Sequence, residues 1–369
     1  SSPLSPLAKK FGIRTVWTPF ADIALRGPDG VPFTDAQTEA LLEDFSLVLS
    51  VLEGIARARF ESGQPDISME AGITAALDMI TFTPQQRARM EFYCGVFFGE
   101  LRSAMLSDLS LYYTDTDKNL GVQDRAFSNG YVQLVHALAR GIDIRFGHIV
   151  RGIAHNNRGV RVETNRGSFE GQYCVVTLPL GVLKTKQVQF SPPLPASKRQ
   201  AIARLNMGTD NKVYLRFPKV FWERGATFVM RQRNEPGQWG VWVNARKWTD
   251  QPIFMALLGG EYAIRCEDFS DERIVSEGMS VLRGTYGKNI PDPEAVLRSR
   301  WYSDPFCHGA YSHIPPGATP DDYEILSRPV ARRLFFAGEA TISAYRSSVR
   351  GAYVTGRREA ARILKLRRG

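Results

Sequence analysis

Residues 333–364 constrain the fold of this chain more than any other stretch. They open with the apolar run Leu334-Phe335-Phe336-Ala337, which Gly338-Glu339 interrupts. From Val349 onward apolar and small residues recur at helical spacing: Val349, Ala352, Tyr353, Gly356, Ala360 and Ile363. The run predicts a short buried strand and the later spacing a helix. A helix that opens after such a loop turns unpaired N–H groups and the positive end of its dipole toward the loop, which suits an electron-rich ligand atom. Gly351, Ala352 and Gly356 let a second backbone or a flat ring come close. An ordinary strand–helix connection has the same features, so these residues alone leave scaffold and site as equal readings.

The remainder predicts blocks of helix and blocks of strand. A helix over 35–61, capped by Thr34 or Asp35, carries one apolar stripe of Leu41, Leu42, Phe45, Leu49, Leu52 and Ile55. Helices follow over 69–79 and 84–106, with Phe92, Tyr93, Phe97 and Phe98 read as core. After a helix over 128–140, strands are expected over 142–150, 152–163 and 167–176 as a meander turning at Asn156-Asn157-Arg158-Gly159 and Asn165-Arg166-Gly167. A helix over 198–205 leads into a strand over 207–217 whose alternation buries Val213, Leu215 and Phe217 and points Lys212 the other way. Strands near 228–230, 240–244 and 253–258 continue the sheet, and a helix covers 271–286. This is a mixed α/β (α+β) pattern, and 369 residues are enough for two domains.

Composition narrows the class. A hydrophobic content of 43% with 23% charged residues is that of a globular protein, and no apolar run approaches the roughly 20 residues of a membrane span. A soluble chain is expected, with the cytoplasm the favoured compartment. The net charge of +9 is scattered except for Arg357, Arg358, Arg362, Lys365, Arg367 and Arg368, so no nucleic-acid partner is expected. Cys94, Cys174, Cys266 and Cys307 lack paired metal-ligand spacing and read as reduced thiols; no metal is expected. His148, an isolated strand histidine, reads as structural.

Phe336-Ala-Gly-Glu-Ala-Thr341 and Ser348-Val-Arg-Gly-Ala-Tyr-x-x-Gly356 together resemble the C-terminal flavin-binding signature of the flavin-dependent amine oxidases, the family of polyamine oxidases, monoamine oxidases and lysine-specific histone demethylases. Other pieces extend the resemblance over nearly the whole chain. Asn211-Lys-Val-x-Leu-x-Phe217 before Phe221-Trp222 is similar to the family strand whose lysine bridges through water to flavin N5. Trp301-x-x-Asp-Pro-x-x-x-Gly-x-Tyr-Ser312 is similar to a segment whose tryptophan and tyrosine flank the isoalloxazine. Without the resemblance, Trp301 and Phe306 read as core aromatics.

The resemblance implies a two-domain fold with an FAD-binding domain interleaved with a sheet-plus-helices substrate domain: 13–127 and 207–299 for substrate, 128–206 and 300–369 for FAD. It assigns cofactor contacts to Val150, Thr177, Leu178, Trp301, Phe306, Gly338, Glu339, Ala340, Ser348, Val349 and Ala352. Lys212 becomes the catalytic candidate, although a strand lysine is ordinarily a solvated charge. Tyr311 and Ser348 line the substrate pocket, and Asp117, in the acidic loop after Tyr113, pairs the remote ammonium of a polyamine. The FAD is expected to be non-covalent, because Ala310 stands where monoamine oxidases carry the bonding cysteine. The reaction implied is oxidation of a small-molecule amine, a polyamine or secondary amine, with O2 reoxidising the flavin. An L-amino-acid oxidase, a histone-lysine demethylase and a non-catalytic flavin-fold binder are the alternatives. No Gly-x-Gly-x-x-Gly occurs in the chain, so the pyrophosphate-holding unit is expected upstream of Ser1 and cofactor binding by this chain alone is expected to be weak. Oligomeric state is not read from the sequence.

Overall fold

The computed structural model describes residues 2–113, 124–234 and 237–368. Its largest sheet has six strands in the order Ala295–Arg298, Asp210–Arg216, Ile253–Gly259, Val241–Asn244, Phe228–Arg231 and Ile23–Arg26. All neighbours are antiparallel except the last pair, which is parallel. Alternation along the strands gives the sheet two apolar faces. Val213, Leu215, Trp242, Phe254, Ala256 and Leu258 take one, covered by Ile274, Met279 and Leu282 of helix Asp271–Tyr286. Phe228, Met230, Val241, Val243, Met255 and Leu257 take the other, covered by helices Asp35–Glu61, Met69–Met79 and Pro84–Cys94. Each fully buried Leu or Phe there contributes about 1.5–3 kcal/mol by leaving water. Lys212 pairs with Leu257 across the ladder and therefore stands on the face covered by these three helices.

The long helix starts where the sequence indicates. Thr34 and Gln37 form a reciprocal capping box, Gln37 N–H donating to Thr34 Oγ1 at 3.2 Å and Thr34 N–H to Gln37 Oε1 at 2.9 Å. Along it Leu41 and Leu52 are buried, whereas Leu42, placed on the stripe by spacing, is 58% exposed.

A second core gathers Ile153, Leu180, Leu205, Tyr323, Leu334 and Phe336. Around it lie a four-stranded sheet in the order Gly167–Gly171, Val160–Thr164, Val150–His155 and Gln189–Ser191, helices Ala196–Arg204 and Pro320–Ser327, and the parallel pair Cys174–Val176 with Leu334–Phe336. The chain crosses between the two cores repeatedly, giving a mixed fold of helices and sheets.

Three expectations are corrected. The segment 142–149 is not a strand; Gly141 and Gly147 turn it with φ of 77° and 70°, and pairing begins only at Val150. The meander ends at Gly171, and Cys174–Val176 leaves to pair with Leu334–Phe336. The helix expected through 106 stops being α-helical at Cys94: a π turn spans Gly95–Gly99, a 3-10 turn Glu100–Arg102, and Ser103 adopts φ 53°. The extra residue per turn rotates the chain after it, which brings Glu100 inward to accept the Gly237 N–H and Ser103 O to accept the Thr209 N–H at 2.6 Å.

Candidate active site

Strands Leu334–Phe336 and Cys174–Val176 run parallel and end at one edge, Phe336 opposite Val176, with Ala337 N–H donating to Val176 O at 3.0 Å. Thr177-Leu178 and Gly338-Glu339 are thus delivered side by side beyond the carboxyl ends of parallel strands, where ligands of α/β sheets bind. Gly338 has φ 135° and a Cβ there would meet nothing within 4 Å, so the space beside it is open. Its N–H donates to Thr355 Oγ1 at 3.0 Å, and Thr355 is fully buried in helix Val349–Arg368. A cavity of about 230 Å³ results, lined by Thr177, Leu178, Gly338, Glu339, Ala340 and Ala352 among others. Six of the sequence-assigned cofactor residues therefore converge.

A second cavity of about 350 Å³ is lined by Tyr311 and Ser348, with Arg102, His313, Arg346 and Arg350. Glu339 joins the two: it lines the first and accepts hydrogen bonds from Ser312 Oγ at 2.7 Å and Ser347 N–H at 2.8 Å, both on the wall of the second. Burial pushes the Glu339 carboxyl up, while these two donors and Arg346 pull it down. Burial also raises the Tyr311 hydroxyl, helped by the negative field of Asp210. His313 is pushed down to about 4, chiefly by burial and then by Lys184 and Arg346, so its ring is neutral at pH 7. Ser348 does local work: its Oγ accepts the Gly351 N–H at 3.0 Å and donates to Tyr345 O at 2.7 Å, capping the helix.

The strand bearing Lys212 is stitched to Tyr311 by backbone. Gly208 N–H donates to Tyr311 O at 2.8 Å and Ala310 N–H to Gly208 O at 2.7 Å. Lys212 Nζ lies 2.5 Å from Asp210 Oδ2. On the opposite side of the strand, Asn211 Oδ1 accepts from Ser299 Oγ at 3.0 Å and from Trp301 N–H at 3.2 Å, and Asn211 Nδ2 donates to Glu267 Oε1 at 2.7 Å. Glu267 in turn accepts the N–H groups of Tyr302 and Ser303, which fixes this loop to the strand.

Other assigned residues lie apart from both cavities. Val150 is half-buried against the second core. Trp301, Phe306 and Val349 are 38%, 57% and 49% exposed, so neither aromatic belongs to a core, contrary to the reading of spacing alone. Their loop is held by backbone and Asn211 contacts, which need no buried ring. Asp117 falls outside the described residues. Reading the sequence missed Asp210, Glu100 and the cavity arginines. Only Asp210 had a signal, a carboxylate two residues before Lys212 on one face of a strand.

The first cavity suits one end of a flavin. Its walls are small and backbone-rich, a Cβ at Gly338 would project into open space, and 230 Å³ is less than a ligand of FAD's size fills. A family model described as flavin containing amine oxidoreductase matches residues 59–364. The chain belongs to this family. It is 37% identical over 268 residues to lysine-specific histone demethylase 1 homolog 2 of Oryza sativa subsp. japonica, covering 70% of this chain and 35% of that protein. To homolog 3 of Oryza sativa subsp. indica it is 33% identical, covering 98% of this chain and 46% of the relative. To protein FLOWERING LOCUS D of Arabidopsis thaliana it is 35% identical, covering 81% and 40%. The chain thus spans between about a third and a half of the length of these relatives. The solved structure of putrescine oxidase with putrescine bound superposes with a TM-score of 0.79 over 99% of this chain and 87% of that one at 17% identity, which establishes the two-domain flavin amine oxidase fold.

Proposed function

We propose that this chain carries the catalytic fold of an FAD-dependent amine oxidase acting on a polyamine or another secondary amine. One observation carries the reading: Glu339 joins a small-walled cavity bearing the flavin signature to a cavity bearing Tyr311. Bound there, FAD would supply a two-electron acceptor for the hydride on the carbon next to the amine nitrogen and would be reoxidised by O2; the substrate, having also lost its N–H proton, would leave as an imine that hydrolyses, and O2 with two electrons and two protons would become H2O2. The chain's own residues supply orientation, desolvation and charge. Gly338, Ala340 and Ala352 admit the flat ring. Tyr311 offers an aromatic wall, and hydride loss requires the neutral amine, which partial desolvation in the cavity favours. Lys212 holds a water toward the ring. Non-covalent binding is favoured because Ala310 has no nucleophile, and Cys307, although it lines the cavity, has its thiol held up by burial and is a poor one. The separate cores support a division into 13–127 and 207–299 for substrate and 128–206 and 300–369 for FAD.

A second reading, oxidation of a methylated lysine side chain, is favoured by identity to proteins named histone demethylase homologues. The test is to keep the chain saturated with excess FAD, since weak binding is expected, and compare spermine, spermidine, a methyl-lysine peptide, benzylamine and L-amino acids. Spermine or spermidine is expected to give the highest kcat/KM, and acid precipitation is expected to release the yellow colour. Lys212→Met is expected to slow flavin reduction or reoxidation at least about tenfold. Preference for the peptide moves the assignment to the second reading; preference for benzylamine or an amino acid ends the first.

A further inference from the structure

We infer that Asp210 is a positioning residue: its buried carboxylate holds the Lys212 ammonium in one orientation on the face of the sheet covered by three helices. The inference rests on the proposed role of Lys212 in holding a water. A strand sends every second residue to the same side, so Asp210, Lys212 and Tyr214 form a row. Asp210 is 6% exposed, whereas the Lys212 side chain is one-third exposed at 33% and has room to swing toward water. Among the described residues, Lys212 is the one cation within 4.0 Å of Asp210. Burial raises the Asp210 carboxyl and the Lys212 charge opposes that, so the ammonium makes the buried carboxylate tolerable.

Both ends of the lysine are thereby tied. Its N–H donates to Ser299 Oγ at 2.9 Å, its carbonyl accepts the Ser299 N–H at 3.0 Å, and its tip meets Asp210 at 2.5 Å. A lysine held only by its backbone samples many rotamers, and placing a water needs one. The neighbouring buried acid does not compete for this role. Glu100 sits across Gly259, the ladder partner of Asp210, where a Cβ on Gly259 would lie 3.2 Å from Glu100 Cγ. One Glu100 oxygen accepts the Gly237 N–H, and the other has no partner among the described residues. Of two buried acids, only Asp210 holds the ammonium.

The test has one readout without flavin and one with it. In the full chain without FAD, brief acetic anhydride labelling at fixed pH, read by peptide mass spectrometry, is expected to modify Lys212 about fivefold faster in Asp210→Asn, because the amine is released from its charge-assisted bond. Lys365, on the exposed side of the last helix, serves as the internal reference. In the FAD-loaded chain, Asp210→Asn is expected to slow the same half-reaction as Lys212→Met by about tenfold, with no added effect in the Lys212→Met background. Asp210→Glu, which keeps the charge, is expected to recover part of both losses. Wild-type labelling in Asp210→Asn overturns the inference, as does a normal half-reaction in Asp210→Asn where Lys212→Met is slow. If Lys212→Met slows nothing, the catalytic reading of Lys212 falls by itself, and the labelling still decides whether Asp210 holds the amine. If circular dichroism shows that Asp210→Asn does not fold, Asp210→Ser, which also removes the carboxylate, decides: raised labelling with a slowed half-reaction supports the inference, and wild-type values for both overturn it.

Discussion

On the wall built from residues 334–355, the site meets mostly backbone, methyl groups and the buried hydroxyls of Thr341 and Thr355, with Glu339 its one carboxylate. On the wall built from residues 100–103, 207–214 and 309–312 it meets charge, with Asp210 paired to Lys212, Glu100 beside them and Tyr311 in the field of Asp210. The first wall depends on close approach, since Gly351 brings its helix so near the preceding turn that a Cβ would lie 2.1 Å from Tyr345 O. The second depends on which groups carry protons. A change of volume therefore damages the first wall at every pH, whereas a change of charge alters the second only where the groups titrate.

The largest effect belongs to the first wall. Gly351→Ala is expected to cost about 3 kcal/mol, because backbone cannot yield as a flexible side chain does. Gly356, in the same helix, has nothing within 4 Å of the place a methyl group would take, so Gly356→Ala is expected to gain about 0.5–1 kcal/mol from helix propensity. Chemical denaturation of both variants checks this. Equal midpoints would show that the turn at Tyr345 moves aside, and the contrast between the walls would fail.

The same contrast explains how much can be read from the sequence. The first wall is almost contiguous, so strand, Gly338 turn and helix are legible as local patterns, and the helix does begin at Val349. Helices Asp35–Glu61 and Asp271–Tyr286 are legible for the same reason, each having a cap and one apolar face. The second wall joins residues more than 100 positions apart. Glu100 faces inward only because of the π turn at Gly95–Gly99, which no apolar periodicity announces. Nor does spacing tell that Trp301 and Phe306 are on an exposed loop, because Asn211 and Glu267 hold that loop through its backbone. The alternation of Ile142, Ile144 and Phe146 resembles a strand, but these side chains are 63%, 46% and 82% exposed and no neighbouring strand pairs with them among the described residues.

An intermediate effect, dependent on pH, belongs to the second wall. Burial raises the Glu100 carboxyl from 4.5 to about 7 against the opposing bond from Gly237 N–H, and Asp210 adds to the rise. Between those values the folded chain keeps a proton that the unfolded chain releases. Stability from this group is therefore full below about pH 4.5 and is lost as pH rises through about 7. Glu100→Gln keeps an acceptor for Gly237 and removes the titration. Relative to wild type, it is expected to gain on the order of 2 kcal/mol from the acid to the neutral end of that window. Urea midpoints of both proteins across the window check it. A difference that does not vary with pH would mean that Glu100 is ionised throughout, and that its wall is not set by protonation.

The smallest effect tests whether a residue lining the second cavity acts through its helix. Ser348 Oγ already has two partners, Gly351 N–H and Tyr345 O, and both are local. Ser348→Ala is expected to cost about 1 kcal/mol, the usual loss at a helix N-cap, and Ser348→Asp a few tenths at most, because Asp caps as well as Ser. Their order in denaturant midpoint is the measurement. If alanine is tolerated while substrate KM rises, the hydroxyl serves the cavity first and the cap second; if alanine loses stability at unchanged KM, this part of the charged cavity, like the wall beside it, is held in place by backbone.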